Sequence, residues 1–278
     1  MMPFYRPDDD PGPDFAALLR RNGLDTPSVA IDERDRHLIT HGTTCVAVRY
    51  ADGVVMAGDR RATSGNWISH RSIEKVFPAD RHSGVAIAGA AGPAIEMVRL
   101  FQLQLEHYEK VEGSQLSLEG KANQLSQMVR SNLPAAMSGM GVVPIFAGYD
   151  RARSMGRLFQ YDITGGRYEE SDYAATGSGS LHASTVVKLG FRDSLTRDEA
   201  VDLVIHALWE AADEDSATGG PDLIRRIFPV VATITTDGFE RLDDGDLETR
   251  SRALIGRIEG GPQSCLEFTH EHAGLRRA

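Results

Sequence analysis

The tightest constraint on this fold is a pair of strands written between Thr44 and Gly58. From Thr44 to Tyr50 the residues alternate. Cys45, Ala47 and Arg49 fall on one face, and Val46, Val48 and Tyr50 on the other, the period-two signature of a β-strand. Asp52-Gly53 is a strong hairpin turn signal. Val54-Val55-Met56-Ala57-Gly58 then returns as a largely buried strand, which ends in the charged cluster Asp59-Arg60-Arg61. Just ahead of the hairpin stands Gly42-Thr43, where a polar leader stops and the first strand begins.

The rest of the chain extends this pattern. Short strands are predicted over 73–77 and 85–88, then the small residues Gly89-Ala90-Ala91-Gly92. Pro93 suits the first turn of a helix. That helix runs to about Lys110, with Ile95, Val98, Phe101, Leu105 and Tyr108 on one face. A second helix begins near Leu118, and Pro134 kinks or ends it. Strands follow over 142–149, 157–163 and 167–175. Gly177-Ser178-Gly179-Ser180 leads into a helix over 181–189. Thr196-Arg197-Asp198-Glu199 is a capping box and starts the next helix. A polar loop over 213–220 precedes a last strand over 229–235. Beyond about 240 the chain is acidic, then mixed, with one amphipathic helix around 254–258 and a loose tail.

Strands in hairpin-like runs imply antiparallel sheets. The order strands, two helices, strands, two helices, strand fits an α+β, four-layer αββα sandwich. The 278 residues, 41% of them hydrophobic, suit one large layered unit. No apolar run is long enough to span a membrane, and the start of the chain has no secretory pattern; a cytoplasmic protein is expected. A net charge of -10 argues against nucleic acid as a partner. Cys45 and Cys265 offer no metal spacing and read as reduced thiols. His37, His41, His70, His82, His107, His182 and His206 show no paired metal spacing. His270 and His272 lie in the expected loose tail without a third ligand. No metal or cofactor is expected. Residues 1–42 carry prolines, an acidic cluster and one short helical pattern, with Asp14 as N-cap and Phe15, Leu18 and Leu19 on one face. They read as a removable propeptide, leaving a catalytic domain over 43–240 and a C-terminal extension over 241–278.

The Gly42-Thr43 junction carries the chemistry. Cleavage after Gly42 would give Thr43 a free α-amine beside its own hydroxyl, a base and a nucleophile on one residue. An α-amine titrates near pH 7.7–8.0, close to where a general base works best.

Together with Val55-Met-Ala-Gly-Asp-Arg-Arg61, Lys75-Val76, Ala88-Gly89, residues 105–109, 147–150, Gly177-Ser-Gly-Ser180 and 213–222, this junction resembles the catalytic β-subunits of the bacterial, actinobacterial-type 20S proteasome. The likeness runs from about Gly42 to Asp237 and implies the N-terminal-nucleophile hydrolase fold. By this resemblance Thr43 is the nucleophile, exposed by autolysis between Gly42 and Thr43. Asp59 and Lys75 match the family's catalytic aspartate and lysine. An ammonium near the Thr43 hydroxyl would favour loss of its proton, with Asp59 holding that ammonium in place. Arg61 would brace the same network. Gly89 matches the oxyanion-hole N–H. Ser178, Asp215 and Thr218, the last where the family usually has serine, match the groups that orient the terminal amine. Without the resemblance, the glycine-serine run could cradle a phosphate, but no Walker lysine or dinucleotide spacing accompanies it.

The resemblance also places Ala62, Thr63, Ile73, Ile87, Ala91 and Ile95 around the substrate, a pocket without charge that suits large apolar residues. It implies a homo-heptameric β ring, two rings stacked and capped by α-subunit rings, with an ATPase ring and a ubiquitin-like tag supplying protein substrates. Alternatives are a noncatalytic ring subunit of the same fold, a simpler two-ring bacterial threonine peptidase, and an amidase of the same mechanistic class acting on a small molecule.

Overall fold

A computed structural model of the chain describes residues 42–259. The leader up to His41, with its short helical pattern, lies outside the described residues, as do Cys265, His270 and His272 in the tail. In chain order the first elements are β1 (Thr44–Tyr50), β2 (Gly53–Gly58), β3 (Ala62–Ser64), β4 (Trp67–His70), β5 (Val76–Asp80), β6 (Ser83–Gly89), α1 (Ala91–Glu112), α2 (Leu118–Ser131) and α3 (Leu133–Met137). Then come β7 (Val142–Asp150), β8 (Met155–Tyr161), β9 (Arg167–Glu170), β10 (Tyr173–Gly177), α4 (Ser180–Gly190), α5 (Arg197–Glu214), β11 (Val230–Thr235), β12 (Gly238–Arg241) and α6 (Asp244–Glu259).

Two five-stranded antiparallel sheets form the middle layers, in the orders β10-β1-β2-β11-β12 and β5-β6-β7-β8-β9. The expected hairpin sets the first. Tyr50 faces Gly53, so the two-residue turn is Ala51-Asp52, one residue earlier than the expected Asp52-Gly53, Gly53 opens β2, and Cys45 faces Gly58. Alternation along β1 then divides its side chains. Cys45 and Ala47 join Met56, Ile145, Leu158 and Ala232 in a core between the sheets. Val46, Val48 and Tyr50 face the other way and pack against Val201, Val204 and Leu208 of α5. The second sheet turns Val85, Phe146 and Phe159 outward, onto Phe101 of α1 and Leu125 of α2. Three apolar seams between four layers give the αββα sandwich. Each fully buried side chain of Leu or Ile size contributes about 1.5–3 kcal/mol to it. Among the described residues no helix is long and apolar enough to cross a membrane.

Helix starts follow their local chemistry. Both halves of the capping box at Thr196 form, with Glu199 reaching back to the Thr196 amide. Pro134 sits in the first turn of the short α3, where its missing N–H costs nothing.

Several expectations need correction. The single strand over 167–175 is two strands in different sheets: β9 ends at Glu170, a bend at Ser171-Asp172 follows, and β10 joins β1. The strand expected from Ile73 begins only at Val76, because the Ile73 amide is taken by the Arg60 carbonyl at 3.1 Å instead of a ladder partner. The small hairpin of β3 and β4, with Trp67 80% exposed, carries no inward-facing apolar pattern and was not expected. The helix expected near 254–258 is the 16-residue α6. It buries Leu247 and Leu254 in the α5 seam, and Arg250 ties it to Asp198 and Asp202 of α5.

Candidate active site

Thr43 is the residue before β1 and is only 5% exposed. Its carbonyl accepts the Ser178 amide at 2.9 Å. Gly177, with φ +100°, allows this approach: a Cβ there would fall 1.7 Å from the Thr43 carbonyl oxygen. In the uncut chain the nitrogen of Thr43 is a peptide amide, and Gly42 ahead of it is buried. The Gly42 amide donates to Thr63 Oγ1 at 3.2 Å. A Cβ on Gly42 would lie 1.8 Å from Cβ of Ala217, so the polar loop after α5 leaves no room for a side chain before the junction.

Beyond the end of β2 stands Asp59, fully buried. Its Oδ1 accepts Lys75 Nζ at 2.6 Å and the Thr44 amide at 2.9 Å. Its Oδ2 accepts the amides of Arg61 at 2.8 Å and Gly219 at 2.9 Å. Four donors on one carboxylate offset the cost of burying it. Lys75 Nζ also donates to the Arg61 carbonyl at 2.6 Å, so two of its three donors are engaged. Arg61 therefore braces the network through its backbone. Its guanidinium reaches instead to the Ser216 carbonyl at 2.9 Å.

On the other flank the loop after α5 meets the start of α4. Asp215 Oδ2 accepts the hydroxyls of Ser178 and, at 2.6 Å, Thr218. Its Oδ1 accepts the Ala217 amide at 3.0 Å. Burial raises the Asp215 carboxyl, but the hydrogen bonds from Ser178, Thr218 and Ala217, with His182 nearby, outweigh it and hold the group below its ordinary value.

Thr43, Lys75 and Gly89 share one small cavity with Ala62, Ile73, Ile87, Ala91 and Ile95. Gly89 ends β6 with φ +113°, and a Cβ there would fall 2.0 Å from the Gly141 carbonyl oxygen. Thr63 stands outside this lining and meets Gly42 instead. Ala94 and Glu74 complete it. Glu74 corrects the expectation of an uncharged lining, but its carboxylate is engaged by Arg241 at 2.6 Å. No local pattern flags Glu74, because its partner lies 167 residues away on the edge strand β12. Cys45 lies behind the site and is no rival nucleophile: burial pushes its thiol up to about 12. Among the described residues no group of three or more His, Cys, Asp or Glu is arranged to hold a metal ion.

A threonine hydroxyl, a buried ammonium and a strand-end glycine around one cavity can support acyl transfer once an amine is freed at Thr43. Comparison with known proteins points to one family. The family model described as proteasome subunit matches residues 39–224. The proteasome subunit beta of Acidimicrobium ferrooxidans is 60% identical over 247 residues, covering 89% of this chain and 90% of that relative. That of Streptomyces griseus is 61% identical over 229 residues, 81% of this chain and 82% of the relative. That of Acidothermus cellulolyticus is 60% identical over 235 residues, 82% and 81%.

Proposed function

This chain belongs to the proteasome family as a β subunit, a threonine endopeptidase of the 20S core that assembles with α subunits, and on that premise we propose that Thr43 is its nucleophile once the Gly42–Thr43 bond is cut. The observation that carries the proposal is the cavity shared by Thr43, Lys75 and Gly89, with Lys75 held by a saturated Asp59. The freed amine, directly or through a water, takes the hydroxyl proton. Thr43 Oγ attacks the peptide carbonyl, and the Gly89 N–H stabilises the oxyanion. One such donor is worth about 2.7–4 kcal/mol. The amine passes its proton to the leaving group, and water hydrolyses the ester. Ser178, Asp215 and Thr218 orient the amine.

The aliphatic lining favours large apolar residues before the cut, since the Glu74 carboxylate within it is paired with Arg241. Faster turnover of basic or acidic fluorogenic peptides than of leucine- or tyrosine-type ones would refute this pocket. Residues 1–42 act as the propeptide that blocks the site before assembly. Residues 43–240 form the catalytic unit and 241–278 an extension. The particle is a pair of heptameric β rings between α rings in the cytoplasm, served by an ATPase ring and a ubiquitin-like tag.

The test is the intact mass of the chain after co-expression with its α subunit. A product starting at Thr43, and loss of both processing and peptidase activity in Thr43→Ala, are expected. Assembled wild-type particles that retain the leader would leave a noncatalytic ring subunit as the better reading.

A further inference from the structure

Thr44 has no task in the scheme above beyond its backbone amide. Yet its side chain is completely buried, as is that of Thr218, and the two hydroxyl oxygens lie 2.6 Å apart. Each hydroxyl has one proton to donate, and the neighbours fix where both go. Thr218 Oγ1 lies 2.6 Å from Asp215 Oδ2. The Asp215 carboxyl is held below its ordinary value, against its burial, by the hydrogen bonds it accepts. An ionised carboxylate only accepts, so the Thr218 proton is committed to Asp215. Thr44 must then be the donor to Thr218. From the other side, the Gly179 amide donates to Thr44 Oγ1 at 2.9 Å. A Cβ on Gly179 would fall 2.6 Å from Thr44 Oγ1 and 2.8 Å from Thr218 Oγ1. Only glycine leaves both hydroxyls in place there. The result is a one-way chain: Gly179 N–H to Thr44, Thr44 to Thr218, Thr218 to Asp215.

We propose that Thr44 is a positioning residue, whose buried hydroxyl fixes the direction of the chain ending on Asp215 and so holds the Asp215–Ser178 pair against Thr43. This deepens the proposed function and rests on it. Thr44 joins three segments that are far apart in sequence: the N-terminal strand, the start of α4 and the loop after α5. Its substitution should therefore act on the setting of the amine, with substrate binding left to the separate aliphatic lining.

The test is a comparison of Thr44→Val, Thr44→Ser, Thr218→Val and the double Val variant, each co-expressed with the α subunit. Thr44→Val keeps the shape and removes the hydroxyl, so kcat should fall roughly tenfold or more while KM moves little. The pH profile of kcat should shift along the limb that reports the amine. Thr44→Ser should recover most of the loss. The double variant should be no worse than the poorer single one, because both break one chain. The proposal is overturned if Thr44→Val is processed and turns over with the wild-type rate and pH profile. It is equally overturned if Thr44→Ser is as impaired as Thr44→Val, or if Thr44→Val assembles no rings, which marks a hydroxyl serving the fold alone. Wild-type particles without activity would instead defeat the proposed function.

Discussion

Two buried lysine–aspartate pairs invite comparison. Lys75 meets Asp59 at 2.6 Å beside Thr43, and Lys121 of α2 meets Asp80 of β5 at 2.5 Å. The lysine side chains are 4% and 5% exposed. By distance and lysine burial the pairs are nearly equal, although the Asp80 side chain is 13% exposed and that of Asp59 is fully buried. They differ in what surrounds them. Asp59 holds amides from three separate segments, at Thr44, Arg61 and Gly219, and Lys75 lines the cavity of Thr43. Asp80 binds its own turn, through the His82 amide and the Ser83 hydroxyl. The first pair gathers the site and the second staples α2 to the end of a strand. Burial of a charged pair alone therefore says little about chemistry. The adjoining nucleophile and open cavity decide it.

The comparison breaks most sharply under substitution of the two lysines. Lys75→Met should lower kcat by roughly 10²–10⁴-fold, read with a leucine-type fluorogenic peptide. Lys121→Met leaves Asp80 unpaired and should cost about 3–5 kcal/mol of stability, read by denaturant unfolding. The kcat of rings that still assemble should remain close to that of the wild type. Equal loss of activity in both would mean that the two pairs do the same work.

Next in size is Gly177→Ala. Its Cβ would collide with the Thr43 carbonyl, and φ +100° disfavours it further. We expect the variant to lose cleavage at Gly42–Thr43, seen as a retained leader by mass. Gly92→Ala, which meets nothing within 4 Å, should be cut normally.

A smaller effect sharpens the role of the hydroxyl flank. Because Asp215 is held below its ordinary value in the fold, its charged form stabilises the native state. That contribution is complete above the ordinary value of about 3.9 and is lost as pH falls through the folded value. The stability gap between wild type and Asp215→Asn should stay constant above about pH 5 and narrow below about pH 4. A gap that widens on acidification would contradict the geometry. Smallest is Thr196→Ala, far from both lysine pairs, which should cost about 1 kcal/mol through its lost cap and leave activity alone.

Much of this was legible in the chain. The alternation of 44–50 fixed the facing of the first hairpin, because a period of two assigns each side chain to a face, while its turn fell at Ala51-Asp52, one residue before the expected Asp52-Gly53. The Thr196–Glu199 box fixed the start of α5 for an equally local reason. The residues around Thr43 were found through their likeness to a family; single aspartates and lysines carry no such signal. The sequence by itself could not divide 167–175 between two sheets, since each half reads as strand and only the packing of the layers tells which edge it joins. Nor could it put Ala217 over Gly42, Glu74 beside Arg241, or the Thr44 hydroxyl against Thr218. The sequence determined, by short-range rules, most of the strands and helices and the facing of the first hairpin. Only the tertiary structure decided which polar atoms meet, because those contacts join residues more than 150 positions apart.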